Sequence, residues 1–346
     1  MRKVSTSATM SKASAAGLAL ALTATATATI ASAQDDNFYA GKTVTMIVGF
    51  SPGGGYDIYA RTVARFIGNH IPGKPNVIVQ NMPGAGSLTA VRYLDGPAVK
   101  DGTIVTAFNP GVITDSLTSP EKIKVKFTEF AWLGSITRDI RLCYAWHTAP
   151  IKTMKDLLDG KEFIMGATGI NTSNYVNGAV LRNLFGLNVK QITGFPGSNE
   201  TRLATERGEL YGDCGSWSSV PVDWVRTNKI VPFVAYSPRR APDMPSDLPF
   251  IGTFAKTEEQ KQVLDIIIAA GELGRPFVMS RQVPAPRVAI MRKAFEATMK
   301  DAGFLAEAAR HDLPVDPATA DEAQEILNRI YAAKPEYVAK AKEVMK

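Results

Sequence analysis

Residues 44–57 read Val44-Thr-Met-Ile-Val-Gly-Phe50 and then Ser51-Pro-Gly-Gly-Gly-Tyr-Asp57, with a helical pattern, Ile58-Tyr-Ala-Arg-Thr-Val-Ala-Arg-Phe-Ile67, following at once. The first run has the length and β-branched content of a buried strand. Three consecutive glycines let the backbone take positive φ and bring its N–H groups close to a bound group. Asp57 stands where it can cap the helix that follows. Strand, glycine loop and helix N-terminus together predict an anion cradle, because unpaired N–H donors and the positive end of the helix dipole meet at one spot. A tight turn that needs glycine for steric reasons alone is the alternative. Two better-known loops are excluded. The third glycine of G-x-G-x-x-G falls on Ile58, and no Lys-Ser or Lys-Thr follows the glycines.

The N-terminus reads as an export signal. Arg2, Lys3 and Lys12 precede an uncharged stretch of Ala, Leu, Thr and Ile, and Ala31-Ser-Ala33 is a small-x-small cleavage site. Cleavage after Ala33 is expected to leave about 313 residues in the periplasm, enough for two α/β domains. A signal-anchor helix is the alternative. Removing the three basic residues of the signal leaves 36 basic against 33 acidic residues, net +3. No block of like charge points to nucleic acid. Cys143 and Cys214 are an even pair in an exported chain, a disulfide candidate, with two buried thiols as the alternative.

Strand, loop and helix alternate along the chain. Asn76-Val-Ile-Val-Gln80 and Thr103-Ile-Val-Thr-Ala-Phe108 read as further strands, each running into a glycine-containing loop, 81–87 and 109–111. Such alternation predicts a parallel sheet covered by helices, with ligands beyond the carboxyl ends of the strands. A second series begins near 141, with strands at Leu142–Trp146, Phe163–Met165 and Val189–Ile192. The loop Gly166–Asn174 is rich in hydroxyls and amides ahead of a helix and repeats the logic of the first. From Pro286 helices dominate, and Val288, Met291, Phe295 and Met299 fall at core spacing.

Catalytic patterns are missing. His70, His147 and His311 lack metal-ligand spacing, and there is no G-x-S-x-G, no Cys-x-x-Cys and no obvious acid pair. Binding without turnover is expected, with no cofactor and no metal.

Taken together the segments resemble the substrate-binding receptors of tripartite tricarboxylate transporters, the Bug-type periplasmic proteins. The resemblance runs over nearly the whole chain after residue 33. It rests on Phe38-Tyr-Ala-Gly-Lys42, Pro52-Gly-Gly-Gly-Tyr-Asp57, Asn81-Met-Pro-Gly-Ala-Gly86, Asp101-Gly102, Pro150-Ile-Lys-Thr153, Gly194-Phe-Pro-Gly197, Gly208-Glu-Leu-Tyr-Gly212 and Arg275-Pro-Phe277. It implies a two-lobed periplasmic binding protein of the type II, Venus-flytrap kind, α/β in class, each lobe a mainly parallel sheet flanked by helices. Lobe 1 is expected at 34–137 plus 266–346 and lobe 2 at 138–265.

The resemblance further implies a monomer that holds a small organic acid between its lobes and hands it to the membrane permease subunits of a transporter. The ligand set expected on lobe 1 is Ser51, Gly53, Gly54, Gly55, Tyr56, Asp57 and Asn109. On lobe 2 it is Thr168, Asn171, Thr172, Ser173, Asn174, Tyr175, Phe195 and Trp217. The aromatics Tyr56, Tyr175, Phe195 and Trp217 depart from the family pattern and could wall a flat acid, or belong to the core. A sensor component that signals to a membrane kinase, and an exported enzyme with a glycine-loop oxyanion site, are the alternatives in other classes.

Overall fold

A computed structural model describes Met1 and residues 37–237, 239–241 and 244–346. The expected signal peptide lies outside the described residues. Two sheets organise the rest. The first contains β1 (Thr43–Val48), β2 (Asn76–Asn81), β3 (Ile104–Ala107), β4 (Ala131–Ser135), β10 (Pro276–Met279) and β11 (Ala318–Thr319) in the order β11-β4-β10-β3-β1-β2. The second contains β5 (Leu142–Trp146), β6 (Phe163–Ala167), β7 (Val189–Thr193), β8 (Gly212–Asp213) and β9 (Ile230–Ala235) in the order β7-β6-β8-β5-β9.

Both sheets are mixed. β1 is parallel to β2 and β3, whereas β10 is antiparallel to β3 and β4, and β11 is antiparallel to β4. In the second sheet only β5 is reversed, pairing antiparallel with β8 and β9. The reversed strands β5 and β10 are the first to form after the chain has passed from one lobe to the other. Alternating β and α segments foretell parallel neighbours but say nothing of a strand that arrives from another domain.

Helix α1 (Gly55–His70) follows β1, α2 (Leu88–Asp95) follows β2 and α3 (Gly111–Thr118) follows β3. In lobe 2, α4 (Met154–Leu158) is closed by a capping box, with Thr153 and Asp156 bonding each other's backbone N–H groups. α5 (Ser173–Ala179), α6 (Ser198–Glu206), α7 (Val222–Arg226) and α8 (Glu258–Ala269) complete that series. The chain then returns to lobe 1 for α9 (Ala285–Thr298), α10 (Ala302–Arg310) and α11 (Ala320–Tyr331), and ends in α12 (Pro335–Val344).

The cores show which helix belongs where. Val44, Met46 and Val48 pack with Tyr59, Val63 and Ile67 of α1 and with Met291 and Phe295 of α9 on one face of the first sheet. Phe108, Phe127 and Trp132 pack with Ile326 and Leu327 of α11 in a separate cluster. The second sheet has its own cluster, and Ala341, Val344 and Met345 at the end of the chain belong to it. The chain crosses at 136–141, returns at 270–275 rather than near 265, and crosses a third time at 332–334, so α12 lies on lobe 2. The sequence pattern of α12 shows only that one face is apolar, not which sheet it covers.

Cys143 on β5 and Cys214 just after β8 are disulfide-bonded, with Cα atoms 3.9 Å apart. Register explains the pairing: Tyr144 opposes Asp213 in the antiparallel ladder, which puts the two cysteines side by side.

Candidate functional site: a polar cleft between two strand-order switch points

Each sheet has a parallel strand flanked by its next two strands in sequence, a point where the strand order reverses. β1 has β2 on one side and β3 on the other, so the loops leaving β1 and β3 diverge; β6 stands in the same relation to β7 and β8. Ligands of open α/β sheets bind beyond the carboxyl ends of strands at such points. Here the two points face one another. Phe50, Gly54, Gly55, Tyr56 and Asn109 from lobe 1 meet Thr168, Thr172, Ser173, Asn174, Ser198 and Arg202 from lobe 2 around a cavity of about 60 Å³.

The glycine loop is locked from below. Gly53 has φ +80°, and its N–H donates to the Asp57 carboxylate at 2.8 Å. That carboxylate also takes bonds from Arg61 and from Asn81 Nδ2. Burial, the largest single effect, works to raise the Asp57 pKa, but the bonds from Arg61, Gly53 and Asn81 together outweigh it and hold the pKa below its ordinary value. Asp57 is thus not the helix cap expected from sequence. α1 begins two residues earlier with Gly54 as its N-cap, and Asp57 ties the loop to the helix. The amides of Gly54, Gly55 and Tyr56 lie at the cap and first turn, where a helix offers no carbonyl partner of its own.

Beneath the loop, Tyr56 stacks on Phe50 with ring centroids 4.7 Å apart. The Arg275 guanidinium lies 4.4 Å over the Tyr56 ring. Arg275 is fully buried and reaches across to lobe 2, donating to Ser218 Oγ at 3.0 Å and Ser219 Oγ at 3.1 Å. Burial works against its charge, but Asp139, Tyr56 and Tyr59 outweigh it and raise the pKa. Burial lifts the Tyr56 phenol to about 12, so it stays a neutral donor, bonded to the Gly274 carbonyl.

On lobe 2, Thr172 donates to Gly169 O and to Asn174 Oδ1, fixing the loop before α5. Arg202 bonds Ser219 O at 2.6 Å, Asn199 Oδ1 and, across the cleft, Gly53 O at 3.4 Å. Asp213 lines the cavity as well. Burial pushes its carboxyl up to about 7, although the Cys214 N–H, Arg202 and Asn174 all favour its charged form. The same burial lowers the Arg202 pKa. Further bonds join the lobes directly: Asn199 Nδ2 to Pro52 O at 3.0 Å and Asn109 Nδ2 to Asn171 O at 2.9 Å. These bonds hold the two lobes against each other beside the cavity.

Of the residues expected to form the site, Gly54, Gly55, Tyr56, Asn109, Thr168, Thr172, Ser173 and Asn174 line the cavity. The others lie elsewhere. Ser51 bonds Glu200, Gly53 and Asp57 shape the loop from behind, and Asn171 faces Gly86 of lobe 1. Tyr175 donates its phenol to the Lys346 carbonyl at 2.6 Å, and Trp217 is buried in the lobe 2 core. Phe195 is half-buried against Gly166. Of the expected aromatics Tyr56 lines the cavity, together with Phe50 and Tyr144. Sequence reasoning missed Arg202, Asp213, Ser198, Ser216 and Ser219. The signal for Asp213, Ser216 and Ser219 was the glycine- and serine-rich stretch Gly212-Asp-Cys-Gly-Ser-Trp-Ser-Ser219, whereas Ser198 and Arg202 sit in α6 with no such signal.

Among the described residues no group of His, Cys, Asp and Glu is placed to hold a metal ion, and no helix is long and apolar enough to cross a membrane. His70 pairs with Asp301 at 2.9 Å, away from the cleft.

No protein-family model matches the chain, and no curated protein matches it in sequence. Solved structures do match. The periplasmic binding protein BugD is 20% identical with a TM-score of 0.70, over 88% of this chain and 98% of its own. MatC from Rhodopseudomonas palustris, with bound malate, is 17% identical with a TM-score of 0.68, over 88% and 99%. A further R. palustris protein, with adipate, is 18% identical with a TM-score of 0.67, over 87% and 97%. At such identity the likeness is one of architecture, and it extends over nearly the full length of each partner: the chain has the two-lobed fold of periplasmic binding proteins, the fold its sequence resemblance implied.

Proposed function

We propose that the protein is an exported solute-binding receptor that captures a small organic acid in the interlobe cleft and delivers it to the membrane permease subunits of a tripartite tricarboxylate-type transporter. The observation that carries this reading is the convergence of the α1 amides at Gly54, Gly55 and Tyr56 with Ser173, Asn174, Ser198 and Arg202 around one interlobe cavity. Neutral donors and one guanidinium suit a carboxylate, held directly or through water, without a second buried acid–base pair to desolvate. Two structures of the same fold contain dicarboxylates, malate and adipate. In the order of events, an acid meets the glycine loop on the open protein. Ser198, Arg202 and the Thr168–Asn174 loop then close over it, with Arg202 joining the lobes through Gly53 O.

A thermal-shift screen of mono-, di-, tri- and aromatic carboxylates tests the reading. An acid present at 100 times its dissociation constant stabilises the fold by about 2.7 kcal/mol. No shift with any acid of the panel would contradict the proposal.

A further inference from the structure

A second cavity, of about 630 Å³, lies among the three segments by which the chain passes between the lobes, and it shares no lining residue with the cleft. Arg141 comes from the first crossing, Glu272 from the second and Ala333 from the third. The size is that of a small-molecule site, and the walls combine apolar side chains such as Phe250, Ile266 and Ile330 with a ring of charged ones. Its charge is unbalanced at depth. Arg141 and Arg275 are 6% and 1% exposed and share one carboxylate, Asp139, itself 6% exposed. Arg141 Nε takes Asp139 Oδ2 at 2.9 Å, and Arg141 Nη2 is buried with no hydrogen-bond partner. Two buried cations against one anion leave a positive charge unpaired, and Arg141 is the one that lines the cavity. The acids nearby do not answer it, since Glu272 is bound by Arg329 and Asp265 stands at the exposed rim.

We propose that this cavity is a second ligand site, for a small amphipathic monoanion. A carboxylate head would pair with Arg141, and an apolar body would lie on Phe250, Ile266 and Ile330. The site is joined to the cleft, because Asp139 Oδ2 accepts from both Arg141 Nε and Ser216 Oγ, at 2.9 and 2.7 Å, and Ser216 lines the cleft. Its walls belong to all three crossings, so its shape changes when the lobes part. An anion that fits one arrangement better shifts lobe closure, and cleft ligand shifts the anion's affinity by the same factor.

Titration calorimetry with octanoate, and with octanamide as its uncharged counterpart, tests the site whether or not the cleft takes acids. Octanoate is expected to bind the purified protein at one site per chain, at least tenfold more tightly than octanamide. Arg141→Met and Ala333→Trp should each weaken octanoate at least tenfold. Ala333 is half-buried at the cavity wall, so its tryptophan variant keeps the test decisive if Arg141→Met fails to fold. Octanamide binding as tightly as octanoate, no octanoate binding, or octanoate binding kept at full strength in Ala333→Trp would each overturn the proposal.

Discussion

At the scale of single residues, Gly54 carries the most. Its φ of −82° and ψ of 170° are open to any residue, so a side chain there does not strain the loop. A Cβ would sit 3.1 Å from Ser198 Oγ on the opposite lobe, however, and a branched one would intrude on both cavity and closure. Gly54→Val is expected to fold normally and lose at least tenfold in acid affinity, about 1.4 kcal/mol, by calorimetry. Asp213 makes the site sensitive to pH. Its folded pKa, about 7, lies above the ordinary 3.8, so the folded state holds the proton more tightly. Its contribution to stability is full below about pH 4 and is lost as pH rises towards 7; Asp115, raised by burial to about 6, acts in the same direction. Relative to Asp213→Asn, the wild type should lose roughly 1–3 kcal/mol between pH 4 and pH 8 in urea unfolding. An ionised Asp213 also repels a carboxylate, so acid affinity should fall over pH 6–8 in the wild type and stay level in Asp213→Asn. Sequence made Gly54 legible because glycine runs have few uses. Asp213 stayed hidden, because an acid after a short strand looks the same whether buried or exposed.

At the scale of elements, the strand–loop–helix units were legible because each repeats the same chemistry: a β-branched run, a loop of small residues, a periodic helix. The register of β5 against β8 was not. It is set by pairing across about seventy residues of chain, and it is what brings Cys143 and Cys214 together. Closing so long a loop should stabilise lobe 2, and Cys143→Ser with Cys214→Ser is expected to cost roughly 2–4 kcal/mol in urea unfolding. An unchanged midpoint would show that the bridge constrains nothing. The loop before α5 is a second test at this scale. Ser173→Ala and Asn174→Ala should each weaken acid binding by about 1.5–3 kcal/mol, the worth of a hydrogen bond to a charged group. Lower stability with unchanged affinity would instead mark them as supports of the helix. Tyr175, one residue on, is already assigned to such a role by its bond to Lys346 O.

At the scale of the whole molecule, the two-lobed plan was legible from the doubled α/β series, but the third crossing and the return of α12 to lobe 2 were not. A short amphipathic helix carries no address; only the apolar cluster it completes does. Three crossings allow the lobes to move as bodies, and the bonds from Asn199 to Pro52, from Asn109 to Asn171 and from Arg202 to Gly53 are among those that must break on opening. Small-angle scattering should therefore show a smaller radius of gyration with a saturating acid than without it. An unchanged radius at confirmed saturation would mean a cleft that stays shut. The central claim, that the glycine loop and the facing hydroxyls hold an organic acid, is tested most directly by titrating the best acid of a carboxylate panel into the wild type and Gly54→Val. The account predicts one site per chain in the wild type and at least tenfold weaker binding in the variant at equal ligand-free melting temperature. Equal affinity in the two proteins would contradict it.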